Sequence, residues 1–363
     1  MKNRITAKIA DRENWTRVTE NTTYRLAAPD DIAPWENFVE RHPHRTFAHR
    51  WNWSVVLARS FHVRPCYCMA ERDGRVVGIL PAALMKSMIF GKFMISLPWL
   101  DYGGPLAENQ EIAAGLVDYC VALAERSNCR FLEMRGVSQP LPGLVNKEEK
   151  FSFVLKLEGS EESIWQSIDG KAKNQVRKAI KSGLEVNFGG LELLDEFYKI
   201  FAFNMRDLGT PVWPKSLYAE MFSCFPNDIE LALVRLGNLY IGGGLVVHYQ
   251  DYSGVPSASS YRSYLNLCPN NILYWEVIRR CFKRGSRSFD FGRSSLNAGT
   301  FNFKKQWIKN PVPQVWQYKL LTIDSLPELN PSNPRFRWAI NIWRRLPLPI
   351  ANALGPKIVT KLP

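Results

Sequence analysis

Two stretches of this chain follow one plan, and that repetition constrains the fold more than any other feature. In the first, apolar runs at residues 66–70 and 76–83 flank an Asp73-Gly74 turn, and a further strand follows near 95–100. A helix then covers about 111–127, and residues 131–135 close the stretch as a strand. In the second, runs at 230–235 and 239–249 flank Gly237-Asn238, followed by a strand at 257–265, a helix at about 271–284 and a strand at 288–293. Asp-Gly and Gly-Asn between apolar runs are hairpin signals, and the change of period marks the helix that follows. Further helices, around 34–39 and 191–205, open each unit. In each stretch the last strand carries an acid shortly before an arginine: Glu133 with Arg135, and Asp290 with Arg293. The expectation is a duplicated α/β (α+β) unit with mixed sheets flanked by helices. The domains would be residues 1–155 and 156–325, followed by a tail at 326–363. A length of 363 residues with 46% hydrophobic content is enough for two cores.

The second closing strand reads Ser288-Phe289-Asp290-Phe291-Gly292-Arg293. Alternation sends Phe289 and Phe291 to one face and Asp290 to the other. Asp290 and Arg293 then surface where the strand gives way to a turn, the place where ligands collect in α/β sheets. A plain ion pair holding a loop is the competing reading.

The net charge of +13 is unevenly placed. Lys171, Lys173, Arg177, Lys178 and Lys181 form one acid-free cluster, on a helix whose other face carries Ala172, Val176, Ala179 and Ile180 and which stops at Gly183. Such a stripe is either a solvated surface or a contact for phosphates, of a nucleotide-linked substrate or of RNA. Arg335, Arg337, Arg344, Arg345, Lys357 and Lys361 form the second cluster, in a Pro-rich tail with Trp338 and Trp343 and no acid after residue 331. That tail suits an anionic membrane surface, or it packs across its own domain with its cations in water. Seven scattered cysteines without paired spacing, and no apolar leader in residues 1–25, point to a reducing cytoplasm. His42, His44 and His49 sit in an Arg-rich loop with no acidic partner nearby, so no metal site is expected.

Four motifs carry a family resemblance. They are Phe289-Asp290-Phe291-Gly292-Arg293 with Lys304-Lys305-Gln306-Trp307, Tyr102-Gly103-Gly104-Pro105, Lys173-Asn174-Gln175-Val176-Arg177-Lys178-Ala179, and Asn204-Met205-Arg206-Asp207-Leu208-Gly209-Thr210-Pro211. With these motifs in order along the sequence (102, 173, 204, 289), the chain resembles the FemAB-type acyltransferases. It is most similar to the FemAB-like proteins of exosortase (PEP-CTERM) polysaccharide loci. The resemblance spans roughly residues 24–321. It implies two tandem GNAT-like domains that transfer an acyl or aminoacyl group to an amine during cell-wall or exopolysaccharide construction; with the basic tail, the expectation is a cytoplasmic protein peripheral to the inner membrane. The partner would be a polysaccharide or peptidoglycan precursor.

Two departures bear on the donor. The junction Leu267-Cys268-Pro269-Asn270-Asn271 lacks the glycines that let a backbone approach the pyrophosphate of coenzyme A, although a helix N-terminus still offers amides there. The long helical hairpin of Fem enzymes that engage tRNA is also missing. The donor stays open between acyl-CoA and aminoacyl-tRNA, and a non-catalytic RNA- or membrane-binding adaptor remains as a third reading.

Transfer to an amine requires a proton acceptor, an oxyanion donor and an acid for the leaving group. Asp290 is the candidate base, and Tyr261 and Tyr264 are the candidate acids. Arg293, Lys304, Lys305, Arg206, Asn270 and Asn271 are candidates for substrate contacts, as are Tyr102, Gly103 and Gly104 in the corresponding loop of the first domain. Lys173, Arg177 and Lys181 are candidates for phosphate or RNA. If residues 304–305 are extended, the two lysines point to opposite faces.

Overall fold

The computed structural model describes residues 16–19, 21–87, 90–296, 298–327 and 334–361. They form two compact units, and neither is a continuous stretch of chain. Of the described residues, unit 1 holds those up to 148, those from 315 to 327 and Lys361, and unit 2 holds those from 149 to 314 and from 334 to 360.

Unit 1 begins with β1 (Arg17–Thr19) and β2 (Thr22–Leu26), followed by helices α1 (Ile32–Arg41) and α2 (Trp53–Phe61). The hairpin β3 (Arg64–Arg72) and β4 (Arg75–Ser87) turns at Asp73 and Gly74, both with positive φ (51° and 71°), as a tight hairpin turn requires. Then come β5 (Gly91–Ser96), the short β6 (Leu106–Ala107), α3 (Gln110–Arg126) and β7 (Phe131–Met134). The Asn109 side chain starts α3 by accepting the Ile112 N–H at 2.9 Å. Ile112, Leu116, Tyr119, Cys120 and Leu123 pack from this helix onto Cys68, Leu80, Met94 and Leu132 of the sheet. The sheet order is β1-β2-β3-β4-β5-β7, antiparallel throughout except for the parallel contact of β5 with β7. Its last strand, Val312–Leu320, comes from the far end of the chain and pairs antiparallel with β7.

Unit 2 repeats the plan. Strand β8 (Val145–Lys156) leads into α4 (Glu161–Ser167), α5 (Gly170–Lys181), β9 (Leu184–Gly189), α6 (Leu194–Leu208) and α7 (Lys215–Cys224). The meander β10 (Ile229–Leu236), β11 (Leu239–Tyr249) and β12 (Tyr252–Ser260) is followed by α8 (Pro269–Lys283), β13 (Ser288–Ser295) and α9 (Gly299–Lys304). The strand Val312–Leu320 is β14, and helices α10 (Pro334–Arg345) and α11 (Leu348–Val359) end the chain. The sheet order is β9-β10-β11-β12-β13-β8, with β12 and β13 the parallel pair. Ile272, Leu273, Val277, Ile278 and Cys281 of α8 cover the same face as Phe289 and Phe291.

The structure corrects three expectations. The strand expected at 95–100 ends at Ser96, because Leu97 and Trp99 take φ of 54° and 67°, outside any strand geometry. The strand expected at 257–265 occupies Tyr252–Ser260, and residues Arg262–Leu267 form a 3₁₀ turn. Residues around 304 are helical rather than extended, so the opposite-face argument for Lys304 and Lys305 does not apply.

Candidate active site

Parallel pairing between β12 and β13 lasts only three positions: Tyr252 with Ser288, Ser253 with Phe289, and Gly254 with Asp290. Beyond Gly254, β12 stays with β11 as far as Ser260, while β13 stays with β8 as far as Ser295, so the two strands part. Local chemistry explains the parting. Pro256 has no N–H to offer a neighbour. A bulge between Asp290 and Arg293 shifts the register of β13, with Gly292 at φ 71°. The Asp290 carboxylate holds that bulge, accepting the Gly292 N–H at 2.7 Å. Gly254 is confined to glycine because a Cβ there would lie 2.9 Å from the Asp290 carbonyl oxygen.

An uncharged polar lattice lies on the elements beside this opening. From α6, Asn204 Nδ2 donates to Ser259 Oγ of β12 at 3.0 Å. Ser260 Oγ donates to Asn270 Oδ1 in the first turn of α8 at 2.7 Å. Asn271 Nδ2 donates to Gln175 Oε1 of α5 at 3.0 Å. Four elements, α5, α6, β12 and α8, are thus joined by side-chain amides and hydroxyls whose burial requires such partners. Tyr261 continues the ladder, its N–H donating to Ile241 O at 2.9 Å, and its ring meets Phe203 edge-on at 5.2 Å. Burial, with Glu196 adding to it, lifts the Tyr261 phenol above its usual range, so it is a proton donor at neutral pH.

The expected site residues divide clearly. Asp290, Asn270, Asn271 and Tyr261 lie on the elements that frame the parting strands, and Tyr264 follows Tyr261 in the 3₁₀ turn. Asp290 is only 6% exposed and Asn271 5%, so each has a structural role alongside any chemical one. Lys304 is buried, and its Nζ donates to Arg293 O at 2.8 Å. It braces the end of β13. Lys305 is exposed at the end of α9, and Arg293 is half-buried on β13. Arg206 is likewise committed: it pairs with Asp207 Oδ1 at 2.8 Å, donates to Leu346 O at 3.1 Å, and covers the Phe203 ring. Two of these partners, Asp207 and Phe203, are on its own helix, and Leu346 belongs to the C-terminal segment. On α5, Lys173 Nζ reaches Gln166 O at 3.0 Å and Arg177 lies over Trp165, whereas Lys181 is exposed.

In unit 1 the matching position is closed. Glu133 stands beside Ile95 of β5 as Asp290 stands beside Gly254, but its carboxylate is buried in a 2.6 Å ion pair with Arg135. Arg135 in turn lies over the Trp316 ring at 4.5 Å. The Tyr102-Gly103-Gly104 loop packs on its own unit. Gly103 has φ 141°, and a Cβ there would lie 3.0 Å from Ser96 O; one at Gly104 would lie 3.1 Å from Val137 Cα. Gly104 O receives the Nε2–H of buried His49, whose Nδ1 accepts the Thr46 N–H. Burial lowers the His49 pKa to about 4 and keeps the ring neutral. Unit 1 does contain a cavity of about 710 Å³, bordered by Arg41, His44, Arg75, Asn109 and Gln139.

Sequence reasoning missed Gln175 and Asn204, although both stand inside motifs that it quoted. The signal was present: Asn204 continues the register of buried Phe197, Ile200 and Phe201, and Gln175 adjoins the stripe of Ala172, Val176 and Ala179. A polar residue on a buried face needs a partner.

Residues 170–305 match the model of the acetyltransferase (GNAT) domain. No curated protein sequence matches the chain. Among solved structures, the chain is similar to FemX (14% identity, TM-score 0.66, covering 82% of this chain and 97% of that one). It is also similar to L-PGS from Bacillus licheniformis (11%, TM-score 0.53, 83% and 94%). A third similarity is to a tandem GNAT protein from the clavulanic acid biosynthesis pathway (12%, TM-score 0.52, 84% and 100%). The chain has the fold of tandem GNAT-like units, and the stretch that matches the GNAT acetyltransferase domain lies in unit 2.

Proposed function

We propose that the protein is an N-acyltransferase that moves an acyl or aminoacyl group onto an amine of a cell-envelope or exopolysaccharide precursor, of the kind assembled by exosortase-associated loci. The observation that carries this reading is the parting of β12 from β13 at Gly254 and Asp290, inside the region that matches the GNAT domain. In the reaction, the amine nitrogen attacks the donor carbonyl and a C–N bond forms. The C–S bond of a thioester or the C–O bond of an aminoacyl ester then breaks. The proton lost by the amine goes to a carboxylate, and the leaving thiolate or alkoxide takes a proton from an acid. Asp290 supplies the carboxylate and Tyr261 the hydroxyl. The similarity to FemX and to L-PGS supports an envelope acceptor. The basic face of α5, with Arg177 and Lys181 exposed, favours aminoacyl-tRNA as the alternative donor.

Asp290→Asn tests this reading cleanly, because an amide oxygen still accepts the Gly292 N–H and keeps the bulge. With either donor and a panel of amino-sugar acceptors, turnover should fall by about 10²-fold or more at an unchanged melting temperature. Unchanged turnover would remove Asp290 from the chemistry.

A further inference from the structure

The C-terminal segment has one side bound to unit 2 and another that is exposed among the described residues. Helices α10 and α11 pack on α6 and the loop after it. Arg344 Nη2 donates to Leu208 O at 3.4 Å, and Arg206 Nη1 donates to Leu346 O at 3.1 Å. Along α11, Ala351, Gly355 and Val359 form a buried stripe at steps of four, so close that a Cβ on Gly355 would lie 2.8 Å from the Val212 backbone nitrogen. Next to that stripe, and at the same steps, Ile350, Leu354 and Ile358 are exposed. On α10, Trp338 is 66% exposed and Ile342 53%, again four residues apart.

Single exposed apolar residues are ordinary, but two helices with apolar ridges in helical register are not. The cations Arg344, Arg345 and Lys357 are exposed around these ridges, and the sequence has no acid after residue 328. The side chains of Arg335 and Arg337 lie outside the described residues.

We propose that this face is a docking surface for an anionic lipid bilayer. The chemistry selects that occupant. Two copies meeting through this face would bring like charges together with no acid to pair them. A nucleic acid would satisfy the cations but leave Trp338, Ile342, Leu354 and Ile358 in water. An anionic bilayer meets both needs, taking the apolar ridges into its interface and the cations against its headgroups. Tryptophan suits that depth because its ring is apolar and its N–H polar. Among the described residues no helix is long and apolar enough to cross a membrane, so the two helices would lie in the plane of the surface. The inference goes beyond acyl transfer and does not depend on it, since binding to lipid is read without turnover.

The test is co-sedimentation of the full chain with vesicles of phosphatidylcholine alone or mixed with phosphatidylglycerol. The expected result is binding to the anionic vesicles only, weakening as salt rises. Arg345→Gln with Lys357→Gln should weaken binding by about 30-fold, from about 1 kcal/mol per charge near the surface. Trp338→Ser with Ile342→Ser and Leu354→Ser should abolish it, and neither set should lower the melting temperature, because these side chains are exposed. Equal binding to both vesicle types, or wild-type binding by both variants, overturns the proposal. So does a serine variant that changes the mass of the free protein while wild type ignores vesicles, because the face would then join two copies of the chain.

Discussion

Replacing Glu230 by glutamine should cost unit 2 about 3 kcal/mol at neutral pH and almost nothing in strong acid. Glu230 sits near the start of β10. Its Oε1 lies 2.9 Å from His248 Nε2, and both of its oxygens take the Arg280 Nε–H at 2.8 Å. His248 Nδ1 in turn meets Ser253 Oγ at 2.8 Å, which meets Ser286 Oγ at 2.6 Å. The chain of contacts thus links β10, β11, β12, α8 and the approach to β13. Burial, the largest single influence on the Glu230 carboxyl, raises its pKa, but the His248 and Arg280 hydrogen bonds and charges together outweigh it and bring it from 4.5 to about 2. The same contact lifts Arg280 above its usual range. A carboxylate with a depressed folded-state pKa stabilises fully above its unfolded value, and loses that stability as pH falls through the folded one. The shift therefore corresponds to about 3 kcal/mol above pH 4.5, roughly half of that near pH 3, and none below about 2. In a unit of this size the neutral-pH difference corresponds to about 6–12 °C in melting temperature. Urea unfolding of wild type and Glu230→Gln, followed by circular dichroism at pH 7, 5 and 3, measures the gap directly. A gap that is the same at pH 7 and pH 3, or below about 1 kcal/mol at pH 7, would refute the reasoning.

Three other substitutions separate structural roles from chemical ones. Arg206→Ala should lower stability by about 1–2 kcal/mol through the lost contact to Leu346 O, with KM for donor and acceptor unchanged; a raised KM would return Arg206 to the site. Lys304→Met keeps the aliphatic stem but removes the ammonium that donates to Arg293 O, so thermal unfolding should report a loss of about 1–3 kcal/mol; a neutral result would show that Lys304 does not brace β13. Gly209→Ala should destabilise by about 1–3 kcal/mol, because φ is 77° and the added Cβ would lie 2.5 Å from Ile340 Cγ2; limited proteolysis should then release residues after 334 first, and a protected segment would contradict the packing described.

The duplication was readable because local chemistry specifies it. Asp73-Gly74 makes its turn in place, and Phe289 and Phe291 alternate into the core wherever the rest of the chain goes. Long-range exchange was not readable. Nothing local marks the strand Val312–Leu320 as one that mostly joins unit 1 by pairing with β7. Arg206, Lys173 and Lys304 attracted attention as ions, but each spends its donors on a nearby carbonyl or carboxylate. The residues that tie the elements of the opening together are the neutral neighbours Asn204 and Gln175. The Glu230 and His248 pair was missed for a related reason. Both occupy buried registers of apolar strands, and only the tertiary contact between β10, β11 and α8 shows that they satisfy one another.

The central claim is that the donor binds where β12 and β13 part, in unit 2. Hydrogen–deuterium exchange of the full chain with acetyl-CoA, and separately with an aminoacyl-tRNA, tests it most directly. One of the two donors should slow exchange across residues 257–272, with 170–178 following through the Gln175 and Asn271 contact. Protection confined to unit 1, around residues 34–44 and 105–113 at its cavity, would contradict the account and place the donor site in the other unit.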